Sequence, residues 1–118
     1  MNPDPQAFSE EWIAAWNSHD LERILSHYAG DIVFLSPIAQ QLTGNGRVSG
    51  ISALKSYWEK GLAAHPGLKF EFLSVLRGHE CLTILYRNNR GQLVTEHFEF
   101  GAGGKVIRSF ACYDDASG

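Results

Sequence analysis

From Phe70 to Tyr113 the chain switches between apolar and polar residues with a period of two, and this pattern constrains its fold more than any other feature. Phe70, Phe72, Ser74 and Leu76 fall on one face of an extended segment, with Glu71, Leu73 and Val75 on the other. Leu82, Ile84 and Tyr86 share a face in the next run, and Leu93–Phe100 and Val106–Tyr113 complete four strands. Short connections, including the glycine-rich Gly101-Ala102-Gly103-Gly104, join them as an antiparallel meander.

The first half follows a different period. Phe8, Trp12 and Trp16, with Ala15 beside them, recur every three or four residues and predict a helix. Asn17-Ser18-His19-Asp20 interrupts it and supplies capping oxygens for a second helix. Leu21, Ile24, Leu25 and Tyr28 carry that helix to a stop at Gly30. A strand over 32–36 and a short one after the Thr43-Gly44-Asn45-Gly46 turn follow. Ile51, Leu54, Trp58 and Leu62 then predict a third helix, ended by His65-Pro66-Gly67. The order implies an α+β fold in which helices segregate against a strongly bent antiparallel or mixed sheet. With 118 residues and no linker or repeat, the expectation is one domain over 1–118.

Ten basic against thirteen acidic residues give a formal charge of −3, with no basic run, which argues against nucleic acid or an anionic membrane surface as partner. No apolar stretch nears the ~20 residues of a membrane span. The start, Met1-Asn2-Pro3-Asp4-Pro5, lacks the basic and apolar regions of a signal peptide, so a cytoplasmic location is expected. Cys81 and Cys112 form no CxxC pair and are expected to be buried free thiols. No histidine pair has metal-ligand spacing, and no cofactor motif is present; neither metal nor cofactor is expected.

Glu96 is the residue that points to chemistry. Period two places it with Val94, Phe98 and Phe100 on the apolar face, while Thr95, His97 and Glu99 take the other. A buried, unpaired carboxylate is so unfavourable that it takes up a proton. A neutral carboxylic acid among aromatics can donate a hydrogen bond to a developing oxyanion, and when deprotonated it can act as a base. The bland alternative is an ion pair with Arg87, Lys105 or Arg108 at a sheet edge. Ser36, before Pro37, has none of the surroundings of an activated nucleophile and reads as a strand terminator. Trp12 and Trp16 are either core or pocket wall, with each indole N–H available as a donor.

Three segments together resemble the nuclear transport factor 2-like superfamily, in its ketosteroid-isomerase and SnoaL-like cyclase branch: Trp16–Leu21, Tyr28–Phe34, and Glu96–Phe100 leading into Gly104–Ile107. The resemblance implies a cone-shaped sheet wrapped around the N-terminal helices, an apolar pocket between them, and a homodimer paired through the outer sheet face. Carried over residue by residue, the isomerase's protonated aspartic acid falls on Glu96, its carboxylate base on Ser36 and its tyrosine donor on Trp12. A serine has no usable basicity at neutral pH, so steroid isomerisation by that mechanism is not expected. The pocket implied by strand phase and by the resemblance is lined by Trp12, Trp16, Phe34, Ser36, Trp58, Phe98, Ser109 and Ala111, with Glu96 as the catalytic group. Three readings follow: acid–base chemistry on an apolar carbonyl compound, binding of an apolar small molecule without turnover, or a dimerisation module whose pocket is filled by its own side chains.

Overall fold

The structure, a computed structural model, describes residues 3–114; Met1 and Asn2, part of the start considered above, lie outside the described residues. Four helices and six strands follow one another as α1 (Pro5–Ser18), α2 (Leu21–Leu25), β1 (Tyr28–Leu35), α3 (Pro37–Thr43), β2 (Arg47–Ser49), α4 (Ile51–Ala64), β3 (Glu71–Gly78), β4 (Cys81–Arg87), β5 (Leu93–Phe100) and β6 (Val106–Tyr113). The strands form one mixed sheet in the order β2-β1-β6-β5-β4-β3. Every pairing is antiparallel except β1 with β6, which is parallel. The sheet is open, with β2 and β3 at its edges, so the expected wrap is not a closed barrel. Helix α1 packs toward β3 and α4 toward β1, which puts both on the face that carries the core. No helix among the described residues is long and apolar enough to cross a membrane.

Local chemistry explains where the elements begin and end. Asp4 caps α1 by accepting from Ala7 N at 2.9 Å, and Pro5 occupies the first turn, where its missing N–H costs nothing. The Asn17–Asp20 segment does more than cap. Asp20 accepts from Arg23 N at the start of α2, as expected. Asn17 clamps the backbone of Phe70 from both sides, donating to its carbonyl at 3.0 Å and accepting from its N–H at 2.7 Å. His19, in the left-handed region at φ 61°, ends α1 and places Nε2 2.8 Å from the carbonyl oxygen of Leu68. These bonds hold Phe70 against Trp12, with ring centroids 5.8 Å apart.

The structure corrects four expectations. Helix α2 ends at Leu25, and Tyr28 opens β1 instead of extending the helix to Gly30; its side chain is buried either way, which is why the helical spacing looked continuous. Ser36 is more than a terminator. It caps α3, a helix the sequence reading lacks, by accepting from Ile38 N at 3.1 Å, with Pro37 in the first turn. In β3 the register shifts between Phe72 and Ser74, so the inward face changes phase. Phe70, Phe72 and Val75 pack on the core, whereas Leu76 is 59% exposed. Cys112 is exposed and Cys81 only half-buried, because both alternate onto the outer face. Both thiols are free.

Candidate functional site

Glu96 sits in the middle of β5 on the inner face, 3% exposed, where strand phase puts it. Register determines its neighbours. It lies opposite Ile84 of β4 and Ala111 of β6, so Tyr86 and Ser109 are its diagonal partners on the same face. Tyr86 Oη donates to Glu96 Oε1 at 3.3 Å, and Ser109 Oγ donates to Oε2 at 3.4 Å. Both bonds are long, and none of the cations considered at the sequence level pairs with this carboxyl. Burial therefore dominates: it pushes the Glu96 carboxyl from 4.5 up to about 8, against a smaller downward pull from the two hydroxyls. At neutral pH the group is mostly a neutral acid. Its proton is then the third hydroxyl proton in a trio joined by two hydrogen bonds, so one of them is free for a further oxygen.

That carboxyl opens on an apolar cavity of about 140 Å³. Five of the residues expected at a site surround it: Trp12, Trp16, Phe34, Trp58 and Glu96. The other four stand beside or behind the wall. Ser36 ends β1 and caps α3. Phe98 is fully buried behind Trp12, with ring centroids 5.3 Å apart. Ser109 is fully buried and donates to Glu96, and Ala111 is the register partner of Glu96.

Sequence reasoning missed much of the remaining wall: Ile38 from α3, Tyr57 and Gly61 from α4, and Tyr86 and Tyr113 from β4 and β6. Tyr86 carried a usable signal, since it shares a strand face with Leu82 and Ile84. Tyr113 needed the register of β5 with β6, which pairs it with Val94.

The indoles differ in what they can offer. Trp12 Nε1 donates to Tyr28 Oη at 2.9 Å in the core, so its donor is committed. Trp16 Nε1 is buried with no hydrogen-bond partner among the described residues. Tyr28 and Tyr86 are held well above the ordinary phenol range, first by burial and then by the nearby Glu96 charge. Burial also raises Tyr57 and Tyr113, with the Ser36 hydroxyl pulling both back slightly. These phenols are hydrogen-bond donors, not bases, at neutral pH. A wider depression of about 590 Å³ opens outside Ile38 and Tyr113 without reaching Glu96. Among the described residues, no three His, Cys, Asp or Glu side chains gather closely enough to hold a metal ion.

The sequence matches the family model for the SnoaL-like domain over residues 9–109. A SnoaL-like protein of unknown function from Burkholderia thailandensis is 41% identical, with a TM-score of 0.91 over 93% of each chain. A SnoaL-like family protein from Agrobacterium tumefaciens is 17% identical with a TM-score of 0.74, covering 93% of this chain and 97% of its own. An NTF2-like protein of unknown function from Burkholderia pseudomallei is 15% identical with a TM-score of 0.76, covering 98% and 95% of the two chains. The last two likenesses bear on the fold alone. No match is found among curated proteins. With its family model spanning most of the chain and a 41% identical relative of the same kind, this protein belongs to the SnoaL-like domain family.

Proposed function

We propose that the cavity binds an apolar carbonyl compound and that Glu96 works in both its forms: the neutral acid donates a hydrogen bond to the carbonyl oxygen, and the carboxylate takes the proton from the carbon beside the carbonyl and returns one that it has exchanged with solvent. One observation carries this reading: a carboxyl without a cationic partner, buried in an aromatic wall and facing empty space. A structural glutamate would be paired or replaced, because an unpaired buried acid only costs stability. The cavity also speaks against a module filled by its own side chains. A simple test uses acetophenone in deuterated water, with exchange at the methyl group followed by NMR. Glu96→Gln keeps the shape and removes the acid, and is expected to slow exchange on the order of a hundredfold. Equal rates in the two proteins would reject the acid–base role.

Binding without turnover is the second reading, favoured by the position of Ser36. The residue matched to the family's base is a hydroxyl engaged in capping α3, so the wall holds the single carboxyl of Glu96 and no second one to act as a dedicated base. Acetophenone bound saturably but recovered unexchanged would support it.

We also infer that the chain pairs through its outer sheet face. On that face His97 stacks on Phe110 with ring centroids 4.8 Å apart, Arg108 lies over the same ring at 5.2 Å, and Leu76 is exposed. Sedimentation at micromolar concentration is expected to give a dimer that Leu76→Glu weakens. A monomer at that concentration would contradict the inference.

A further inference from the structure

Helix α4 contains a glycine where helix formation disfavours one. Gly61 lies three residues from the end of a 14-residue helix, and glycine is among the least favourable residues in such a position. The usual reasons for keeping it are absent. Its backbone is not in the left-handed region, and a Cβ built there meets nothing within 4 Å. Alanine would therefore fit and would strengthen the helix. What Gly61 does face is the Glu96 cavity.

Its neighbours show which part of the cavity this is. Among the lining residues, Leu42 of α3 is 70% exposed and His65, just past α4, is exposed, whereas Trp12 and Glu96 are almost fully buried. Leu42, Gly61 and His65 thus belong to the mouth, and Trp12 and Glu96 to the floor. The volume sets the scale of the guest. A dry cavity of about 150 Å³ elsewhere takes up one benzene ring, and this one measures about 140 Å³. Flat indole and phenyl walls, with Trp12 and Phe70 stacked 20° apart, suit a planar body.

We propose that Gly61 sets the size of what enters this pocket, and that the pocket's substrate class is a single planar ring bearing a carbonyl group. The proposal rests on the Glu96 reading for the carbonyl and on the cavity alone for the ring and the mouth. Glycine at the rim keeps the opening clear at a cost to the helix, and any branched side chain at 61 would project into the path that the ring must take. A four-ring compound exceeds the space beyond it.

Titration of acetophenone into wild type, Gly61→Ala, Gly61→Leu and Glu96→Gln, followed by tryptophan fluorescence and thermal unfolding, tests the proposal. Wild type is expected to bind acetophenone saturably and to bind androst-4-ene-3,17-dione at least tenfold more weakly. Gly61→Ala is expected to raise Tm by a few degrees with a small loss of affinity. Gly61→Leu is expected to hold Tm at or above wild type while weakening acetophenone binding at least tenfold. Such a variant, more stable but unable to bind, separates an occluded mouth from a damaged fold. Equal acetophenone affinity in wild type and Gly61→Leu would overturn the proposal, as would steroid binding as tight as acetophenone or no saturable acetophenone binding. Should Gly61→Leu unfold, the alanine variant decides: a lower Tm for Gly61→Ala would show that the glycine serves the fold. Failure of the Glu96 reading is distinguishable, since it would leave the Gly61 dependence intact and make Glu96→Gln indistinguishable from wild type in binding and exchange.

Discussion

Replacing Glu96 with glutamine is expected to stabilise the protein at alkaline pH and to abolish most of the pH dependence of its stability above pH 5. The direction follows from which state holds the proton. In the folded protein burial keeps Glu96 protonated up to about pH 8, whereas the unfolded chain releases that proton near 4.5. Between these values the folded state binds more protons than the unfolded one, so stability falls as pH rises and levels off above about 8. Each of the roughly 3.5 pH units between 4.5 and about 8 is worth about 1.4 kcal/mol, so the loss accumulated by pH 9 is on the order of 5 kcal/mol. That is a large share of the ~5–15 kcal/mol that holds a domain together. Glutamine resembles the neutral acid and has no proton to release. The two proteins should therefore unfold alike near pH 4 and diverge in favour of Glu96→Gln as pH increases, in urea melts taken at several pH values. Burial also holds His27 below its usual range, but that group costs stability as pH falls and so acts on the acid side. Subtracting one variant from the other cancels it.

The second large effect is expected at Phe98, the next inward residue of β5. Phe98 is fully buried, and its ring meets Phe8 at 5.1 Å and Trp12 at 5.3 Å, edge to face in both pairs. Truncation to alanine removes the contact that backs Trp12 and leaves a void no neighbour can fill without moving the cavity wall. The expected cost is about 3–5 kcal/mol. Phe98→Leu, which keeps most of the volume, is expected to cost about 1.5 kcal/mol or less. Comparable losses for the two variants would mean that Phe98 acts through something other than packing. Because Phe98 stands behind the cavity and not in it, Phe98→Leu should leave acetophenone binding nearly unchanged.

These two neighbours show what was legible before the structure. Alternation alone puts Glu96 and Phe98 on the inner face, because a strand's period does not depend on its partners. It cannot say what stands beside Glu96. Tyr86 and Ser109 become its neighbours through the pairings Ile84 with Glu96 and Glu96 with Ala111, and register is a property of the assembled sheet. The β3 bulge is hidden for the same reason: one extra residue near Leu73 reverses the phase and sends Leu76 outward, with no local mark in the sequence.

Tyr28 and Ser36 were misread for different reasons. The spacing of Leu21, Ile24, Leu25 and Tyr28 fits a helix, but Tyr28 is buried as the first residue of a strand, and burial at that spacing does not reveal the backbone between. Ser36-Pro37 did carry a signal, a capping serine with proline in the first turn, and it begins a helix instead of merely ending a strand. The consequence for the site is direct, since α3 brings Ile38 and Leu42 to the cavity. Gly61 was invisible as a site residue, because a glycine in a helix becomes informative only once the space beside it is known.

The pH dependence of stability and the proposed chemistry both depend on Glu96 being a neutral acid at physiological pH, and its carboxyl carbon reports this directly. With glutamate labelled at Cδ with carbon-13 and Glu96→Gln used to assign the signal, the chemical shift can be followed from pH 3 to 10. A midpoint near 8 is the expected result. A midpoint near 4.5 would show an ordinary carboxylate and contradict the account of the site.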